Sequence, residues 1–388
     1  MLITNAKIIT VNGTSYENGF IYIEGDRFDT IGEMENIPDY GDDEQIIDCK
    51  GAFVLPGFID AHCHLGMWED SLGSEGADGN EENDPVTPQL RAIDAVNVMD
   101  RCFDEALDAG ITTVITGPGS ANVIGGQMVA LKTFGNRVDD MIIKAPIAMK
   151  MALGENPKKV YGEKKTMPST RMSSASILRE TLFAAKQYLI KKQDAIKSES
   201  FNKMPQFNMK YEALIPVLEG KLKAHIHCHR ADDIFTAIRI GKEFNLDFVL
   251  IHCTEGHLIA NELKQEEVSA VIGPIISDRS KPELKNASLT NAAVLEDNSV
   301  PFAICTDHNV IPIQYLNISA GLCVREGLPF MSAIEALTIR PAKICGIDSV
   351  VGSISEGKQA NFTVFASDPL SIYAKPQMVF VDGIKVRG

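Results

Sequence analysis

Long apolar segments are missing from this sequence, in which no run approaches the roughly 20 residues that span a bilayer. Its first residues, MLITNAKIITVNG, also lack the basic region, apolar core and cleavage site of a secretion signal. Basic residues are outnumbered, at 37 against 52 acidic ones, which leaves a net charge of −15. Because so acidic a chain repels phosphate backbones and anionic membrane surfaces, we expect neither nucleic acid nor membrane as a partner. The sequence predicts a cytoplasmic protein with a small-molecule substrate and leaves a homo-oligomer open.

Paired cysteines are absent as well, since the eight cysteines are widely spaced and none forms a C-x-x-C pair. Disulfide frameworks are typical of short secreted chains, so we expect free thiols in a reducing compartment. With 45% hydrophobic and 23% charged residues, the composition is that of an ordinary globular chain and excludes a disordered or fibrous one.

The two ends of the chain share a β-rich character. Residues 1–56 contain short runs rich in Ile, Val and Phe, broken by turn signals such as Asn-Gly and Glu-Gly. Residues 350–388 repeat this pattern, and Asp382-Gly383 is a two-residue hairpin signal. We therefore expect residues 1–56 and 346–388 to form one small, β-sandwich-like domain built from both chain ends.

Between the ends, strand-like and helix-like segments alternate. The predicted strands are residues 53–60, 111–116, 126–133, 142–152, 222–229, 247–253, 268–272 and 301–306. The predicted helices are residues 88–109, 173–198, 209–219, 232–244 and 312–326. In the first helix, Thr87 would be the N-cap, Pro88 would suit the first turn and Gly110 would end it. About eight strands alternating with helices favour an α/β fold, a (β/α)₈ TIM barrel over residues 57–345, with an open doubly wound sheet as the alternative.

The histidines are the main candidates for a functional site, because most of them end or directly follow a predicted strand. They are His62, His64, His225, His227, His229, His252, His257 and His308. In a barrel, the carboxyl ends of the strands carry the active site. With the carboxylate of Asp307, which follows the last predicted strand, these imidazoles suit a catalytic metal that keeps one position open for water.

Strand alternation separates the histidines from the neighbouring cysteines. Residues i and i+2 of a strand share a face, so His62 and His64 point one way and Cys63 the other. The same alternation places the histidines at 225–229 on one face. We interpret Cys63, Cys228 and Cys253 as packing residues that face the surrounding helices, not as ligands of a structural zinc.

Six segments resemble motifs of the amidohydrolase superfamily. FVLPGFIDAHCHLG at 53–66 is similar to its first-strand motif with the H-x-H pair, and GSISEGKQANFTVF at 352–365 to its C-terminal motif. Four further segments resemble the imidazolonepropionase-like branch of the superfamily. They are ALGENPKKVYG at 152–162, HCHRADDI at 227–234, IHCTEGH at 251–257 and CTDHNVIP at 305–312. The resemblance extends over nearly the whole chain in the right order. The resemblance implies a barrel enzyme that binds one or two divalent metal ions, with zinc favoured over iron or manganese.

The resemblance also implies roles for individual residues. His62 and His64 match the first-strand metal ligands, His252 the sixth-strand ligand, and Asp307 the eighth-strand aspartate that binds metal and moves protons. For the fifth strand we favour His229, because Asp232 stands three residues after it as in related motifs. His227 would then be a substrate-facing neighbour, and His225 would lie deeper in the barrel.

Two residues compete for the fourth-strand position. Lys150 lies in an otherwise apolar strand, where a buried ammonium is costly unless it is paired or modified. Superfamily members with two metals often bridge them with a carboxylated lysine at this position, and others use a glutamate, for which Glu155 is the candidate. We favour Lys150, and with it a pair of ions about 3.5–4 Å apart.

The implied reaction is hydrolysis of an amide or cyclic amide C–N bond. A divalent metal can lower the pKa of a bound water to about 7 and polarise the substrate carbonyl. Asp307 would hold the resulting hydroxide, accept its proton and deliver one to the leaving nitrogen, while His252 could stabilise the oxyanion if it binds no second metal.

Three alternatives remain open. The first is deamination by the same hydroxide, although superfamily deaminases commonly carry a glutamate where this chain has Asp232. The second is an X-Pro-type dipeptidase, and the third is a catalytically dead scaffold that keeps the fold without the metal.

Residues outside the ligand set are candidates for substrate binding. Tyr161, Arg171 or Arg230 could bind a substrate carboxylate, since a guanidinium pairs with it in a bidentate manner. Residues 68–85 hold seven carboxylates and the only tryptophan. They are interpreted either as a lid over the site or as a solvated loop.

Overall fold

The computed structural model describes residues 1–41, 44–69 and 72–388. The strands before the central sheet are β1 (Leu2–Ile9), β2 (Ser15–Glu24), β3 (Arg27–Glu33), β4 (Ile46–Asp48) and β5 (Phe53–Pro56). The central sheet contains β6 (Phe58–Cys63), β7 (Ile111–Thr116), β8 (Ile124–Lys132), β9 (Ile142–Ala152), β10 (Lys223–Cys228), β11 (Phe248–His252), β12 (Ser269–Ile272) and β13 (Phe302–Ile304). The last strands are β14 (Phe362–Phe365), β15 (Pro376–Val381) and β16 (Ile384–Arg387).

The helices of the described residues surround the central sheet or precede its strands. They are α1 (Arg101–Asp108), α2 (Val138–Met141), α3 (Glu155–Glu163), α4 (Arg171–Lys197), α5 (Met209–Leu218), α6 (Ala231–Phe244), α7 (Ala260–Gln265), α8 (Asn291–Asp297), α9 (Leu316–Arg325), α10 (Phe330–Ala336) and α11 (Ile339–Cys345). Within the part of the chain that the structure describes, no helix is both long enough and apolar enough to cross a membrane.

The two chain ends form one sheet of eight strands. Its order is β16-β15-β14-β5-β1-β2-β3, with β4 paired to β1, and β14 runs antiparallel to β5. The hairpin between β15 and β16 turns at Asp382 and Gly383, whose φ angles of 51° and 74° have the sign that a tight two-residue turn requires. Its own apolar cluster includes Ile8, Ile21 and Phe362. The expected domain limits at residues 56 and 346 stay a prediction.

The central sheet is nearly closed, which argues against the open doubly wound alternative. Its strand order follows the chain from β6 to β13. Where the first and last strands meet, Asp307 N donates to His62 O (3.2 Å) and His64 N donates to His308 O (2.7 Å).

The expected (β/α)₈ pattern, in which all strands are parallel, does not hold at one strand. β8 runs antiparallel to both β7 and β9, while the other strand pairs of this sheet are parallel. The connections on either side of β8, residues 117–123 and 133–141, are shorter than the dozen or more residues that a parallel crossover needs. The fold is therefore a mixed α/β structure with a nearly closed eight-stranded sheet.

The first predicted helix is also corrected, because α1 begins at Arg101 and not at residue 88. Residues 86–91 instead run beside β8, with bridges from Val86 to Ile124 and from Arg91 to Gln127. The hydroxyl of Thr87 donates to Ile124 O (3.2 Å) and so caps no helix. The backbone groups of this segment are satisfied by the strand, which removes the need for helical bonds.

Strand alternation sorts the central sheet into two apolar layers. One face of its strands contributes residues such as Ile115, Val249 and Val271 to one cluster. The other face packs with helix residues in a second cluster, which also contains Cys63, Cys228 and Cys253. The cysteines thus lie away from the histidines at the strand ends.

Candidate metal centre

A first cluster of possible metal ligands consists of His62, His64 and Asp307. His62 is on β6, His64 directly follows it, and Asp307 lies three residues after β13. Asp307 Oδ1 is 3.7 Å from His62 Nε2 and 3.2 Å from His64 Nε2. The backbone hydrogen bond from Asp307 to His62 brings the two strand ends together.

A second cluster consists of His227, His229 and His252. His227 is on β10, His229 directly follows that strand, and His252 ends β11. Their ring centres are 4.5–4.7 Å apart. The ring of His252 is also 5.5 Å from that of His62 in the first cluster, so the two clusters adjoin.

Hydrogen bonds at Nδ1 orient three of these rings. His64 Nδ1 lies 2.7 Å from Gly117 O and His252 Nδ1 lies 2.7 Å from Gly273 O. Since a carbonyl oxygen only accepts, both Nδ1 atoms carry the proton and both Nε2 atoms present a lone pair. His229 Nδ1 contacts the hydroxyl of Thr254 at 2.7 Å. This is the outer hydrogen bonding that metal-binding histidines generally use.

Burial keeps the imidazoles of His62 and of the second cluster uncharged. It holds the pKa values of His62, His227 and His229 well below the ordinary value and lowers the pKa of His252 to about 4. Neutral imidazole is the form that binds metal.

The carboxylate of Asp307 stays ionised. Burial alone would raise its pKa, but the proximity of His252 and His64 outweighs burial and holds that pKa below the usual range. The backbone of Asp307 has a φ of 55° and that of His252 a φ of 75°, a left-handed conformation that is costly for non-glycine residues and concentrates at functional sites.

Lys150 lies between the strands that carry the clusters. Its Nζ is 2.7 Å from His62 Nε2 and its side chain is fully buried, which lowers the pKa of the amine to about 8. His225 is its Cα partner on β10 and belongs to neither cluster, and burial lowers the His225 pKa to about 3. Glu155 is the first residue of α3 and is also in neither cluster.

The residues expected to bind substrate have other partners. The Tyr161 hydroxyl donates to Asn122 Oδ1 (2.6 Å) in the interior. Arg171 donates to the buried carboxylate of Asp233, and Arg230 forms a bidentate pair with Asp232. Asp232 is exposed and so lies outside the clusters. His227, the fourth expected substrate contact, is instead in the second cluster.

Sequence reasoning missed two buried carboxyl groups. Glu283 approaches the second cluster, with Oε1 3.6 Å from His229 Nε2 and 4.0 Å from His227 Nε2, and burial raises its pKa to about 7. Asp60 accepts hydrogen bonds from the backbone and hydroxyl of Thr306, and burial raises its pKa to about 7 as well. The position of Asp60, two residues before His62 on the same strand, could have indicated that its side chain shares a face with that histidine. Glu283 stands in a charged segment, where nothing in the sequence distinguishes it.

The tryptophan-containing loop borders the first cluster. The ring of Trp68 packs edge-on against that of His64, with centres 5.1 Å apart. Asp70 and Ser71 lie outside the described residues, and the choice between lid and solvated loop stays a prediction.

A cavity of about 620 Å³ begins at the second cluster. His252 and Thr254 form its inner wall, and residues 273–279 and 287–291 together with the end of α9 form the rest. Its size falls within the range of small-molecule sites.

Comparison with known proteins identifies the family. The model of the amidohydrolase family matches residues 53–386. The chain belongs to the amidohydrolase family. This places it among the hydrolases and deaminases of the amidohydrolase superfamily, and its histidine-rich clusters are of the type that binds divalent metals in such proteins.

Individual amidohydrolase relatives support the same assignment. An amidohydrolase of Thermotoga maritima MSB8 has 38% sequence identity and a TM-score of 0.95, each chain covering 99% of the other. Amidohydrolase tasK of Hapsidospora irregularis is 27% identical over 98% of this chain, but this chain spans only 42% of its length. An imidazolonepropionase of Christiangramia forsetii is 23% identical, over 95% of this chain and 94% of its own. The resemblance to the imidazolonepropionase-like branch is confirmed.

Proposed function

We propose that this amidohydrolase is a metal-dependent hydrolase of amide or cyclic amide C–N bonds. The observation that carries the proposal is the meeting of the first and second clusters at the strand ends of one sheet, with the rings of His62 and His252 5.5 Å apart and the buried Lys150 beside them. Six nitrogen and oxygen donors at one end of a nearly closed sheet are what a catalytic metal needs.

The donor set fits a divalent ion. His62 Nδ1 and both ring nitrogens of His227 are buried without a hydrogen-bond partner among the described residues. Each unsatisfied buried group costs about 1–3 kcal/mol, so a cation bound at His227 Nε2 would offset that cost for one of these three atoms. Imidazole and carboxylate ligands suit zinc best, with iron or manganese as alternatives. When bound, such an ion polarises a carbonyl and acidifies a water molecule.

Lys150 is the proposed fourth-strand ligand, and Glu155 is not. The Lys150 amine reaches His62, while Glu155 lies at the start of α3 outside both clusters. An ammonium has no lone pair to donate. Addition of carbon dioxide to the neutral Nζ amine, with loss of one proton, would give the carboxylate needed to bind two ions.

Asp307 is the proposed proton carrier. Its carboxylate stays ionised in the buried site, with Oδ1 3.2 Å from His64 Nε2, so it can take a proton from the attacking water and return it to the leaving nitrogen. His252 lines the 620 Å³ cavity, and because its Nδ1 proton is held by Gly273 O, its Nε2 lone pair makes it a proposed metal ligand and not a donor to the carbonyl oxygen.

Deamination remains the second candidate, because it needs the same metal and the same base. The carboxylate that would correspond to the deaminase glutamate is Asp232, which is exposed and paired with Arg230. This arrangement favours hydrolysis over deamination.

The test is a substrate screen of metal-loaded protein against N-acyl amino acids, X-Pro dipeptides, hydantoins and imidazolones, with adenine for the deaminase reaction. The Asp307→Asn variant, purified in the same way, controls for contaminating enzymes. Hydrolysis that requires both the metal and Asp307 supports the proposal. Ammonia release from adenine without hydrolysis would replace it with deamination, and a metal-free, inactive protein would indicate a scaffold.

A further inference from the structure

We propose that Glu283 is a metal ligand, which holds a divalent ion together with His227 and His229. The site is a second position, distinct from the one that His62, His64 and Asp307 form. The inference rests on the metal dependence in the proposed function but not on its substrate.

Buried polar atoms of Glu283 and His227 lie close together without hydrogen-bond partners among the described residues. Glu283 Oε1 is buried without a hydrogen-bond partner among the described residues, and so are both ring nitrogens of His227. Oε1 lies 3.6 Å from His229 Nε2 and 4.0 Å from His227 Nε2. Ligand atoms around a four-coordinate ion with bonds of about 2.0–2.1 Å stand about 3.3 Å apart. The two separations exceed this value by about 0.3 and 0.7 Å, so side-chain movements of less than an ångström would bring Oε1 and each imidazole to the spacing of ligands on one ion.

The buried carboxylate of Glu283 also needs a partner for its charge. Glu283 is fully buried, and within the described residues no lysine or arginine forms an ion pair with it. A buried carboxylate is costly unless it is paired or coordinates a metal. Lys281 favours its charge, whereas Glu155 and Asp233 oppose it, and the groups within 4.0 Å of its free oxygen are the two imidazoles.

The fold holds Glu283 in this orientation. Its other oxygen, Oε2, accepts a hydrogen bond from the backbone N–H of Glu155 (3.0 Å). Gly154, which precedes α3 with a φ of 82°, leaves the space that this carboxylate occupies, since a Cβ there would lie 3.0 Å from Oε2. One oxygen is fixed by backbone, and the free oxygen points at the imidazoles.

Glu283 thereby gives the second site the composition of the first. Two histidines and one carboxylate would hold each ion, with His252 and Lys150 between the two sets. Two histidines with one carboxylate is a known ligand set of catalytic zinc.

The experiment compares Glu283→Gln with wild type and with Glu255→Gln. Glu255 is a matched control, because it is also a buried glutamate that accepts a backbone N–H, from Ala231, but its other oxygen is already satisfied by Asn286. Full-length proteins are stripped with chelator and titrated with Co²⁺, following the visible absorption bands and the bound metal per chain. We expect two ions per chain in wild type and Glu255→Gln. In Glu283→Gln we expect the second ion to bind at least about 10-fold more weakly, with changed Co²⁺ bands.

Unchanged binding of the second ion in a folded Glu283→Gln protein would overturn the proposal. So would a wild-type protein that takes up one ion only. If Glu283→Gln does not fold, Glu283→Asp provides the second measurement. Because its shortened carboxylate keeps the charge, this variant should bind two ions but show altered Co²⁺ bands. These readouts are independent of turnover, so a protein that binds two ions but hydrolyses no C–N bond would refute the proposed function and leave this inference standing.

Discussion

The Arg171→Met variant tests whether Arg171 stabilises the fold or binds substrate. Arg171 Nε lies 3.1 and 3.0 Å from the two oxygens of Asp233, whose side chain is only 4% exposed, whereas that of Arg171 is 31% exposed. Removing one partner of a fully buried pair costs about 3–5 kcal/mol. Because Arg171 is partly solvated and its loss lets water approach Asp233, we expect the free energy of unfolding to fall by about 2–3 kcal/mol.

The loss should depend on pH. Burial raises the pKa of Asp233 even with Arg171 in place, so without the guanidinium the carboxyl group takes up a proton instead of remaining an unpaired charge. The destabilisation is therefore complete above the raised pKa of the variant and shrinks as the pH falls through it. Urea unfolding at pH 8 and pH 5 measures both effects.

The matched control is Arg230→Met, which breaks an exposed pair with Asp232 and should cost less than about 1 kcal/mol. The substrate affinity of Arg171→Met should be unchanged. A variant of unaltered stability with a strongly raised KM would refute this reasoning and return Arg171 to the substrate site.

Three further outcomes are expected. Asp307→Asn should leave a folded, at least partly metallated protein with activity reduced by at least about 10²-fold, and near-normal turnover would show that another group carries the proton. The emission of Trp68, which packs on His64, should change when Zn²⁺ is added to stripped protein, and an unchanged spectrum with metal bound would contradict that contact. All eight cysteines are buried, so a thiol reagent should label them only on unfolding, and rapid labelling of the native protein would be inconsistent with the packing.

Strand positions were largely predictable, because short β-branched runs bounded by turns remain visible without tertiary context. The orientation of β8 was not, since an apolar strand buried on both faces carries no sign of its direction. The helix predicted from residue 88 failed for a related reason. Thr87 and Pro88 are typical of a helix start, but pairing with β8 supplies the backbone hydrogen bonds of residues 86–91 instead.

The candidate site was predictable where residue type and strand position coincide, as for His62, His64 and Asp307. Partnerships between distant segments were not, because nothing in the local sequence links Arg171 with Asp233 or Tyr161 with Asn122. These partners depend on how loops and helices pack over the strand ends. Glu283 was missed for the same reason.

Anomalous diffraction at the zinc edge, on crystals of zinc-loaded protein, tests the metal centre most directly. We expect a peak within bonding distance of His62 Nε2, His64 Nε2 and Asp307, and a second peak at His227 and His229. Crystals that show neither peak, from protein that still hydrolyses its substrate after chelation, would contradict a metal-dependent reaction at these clusters.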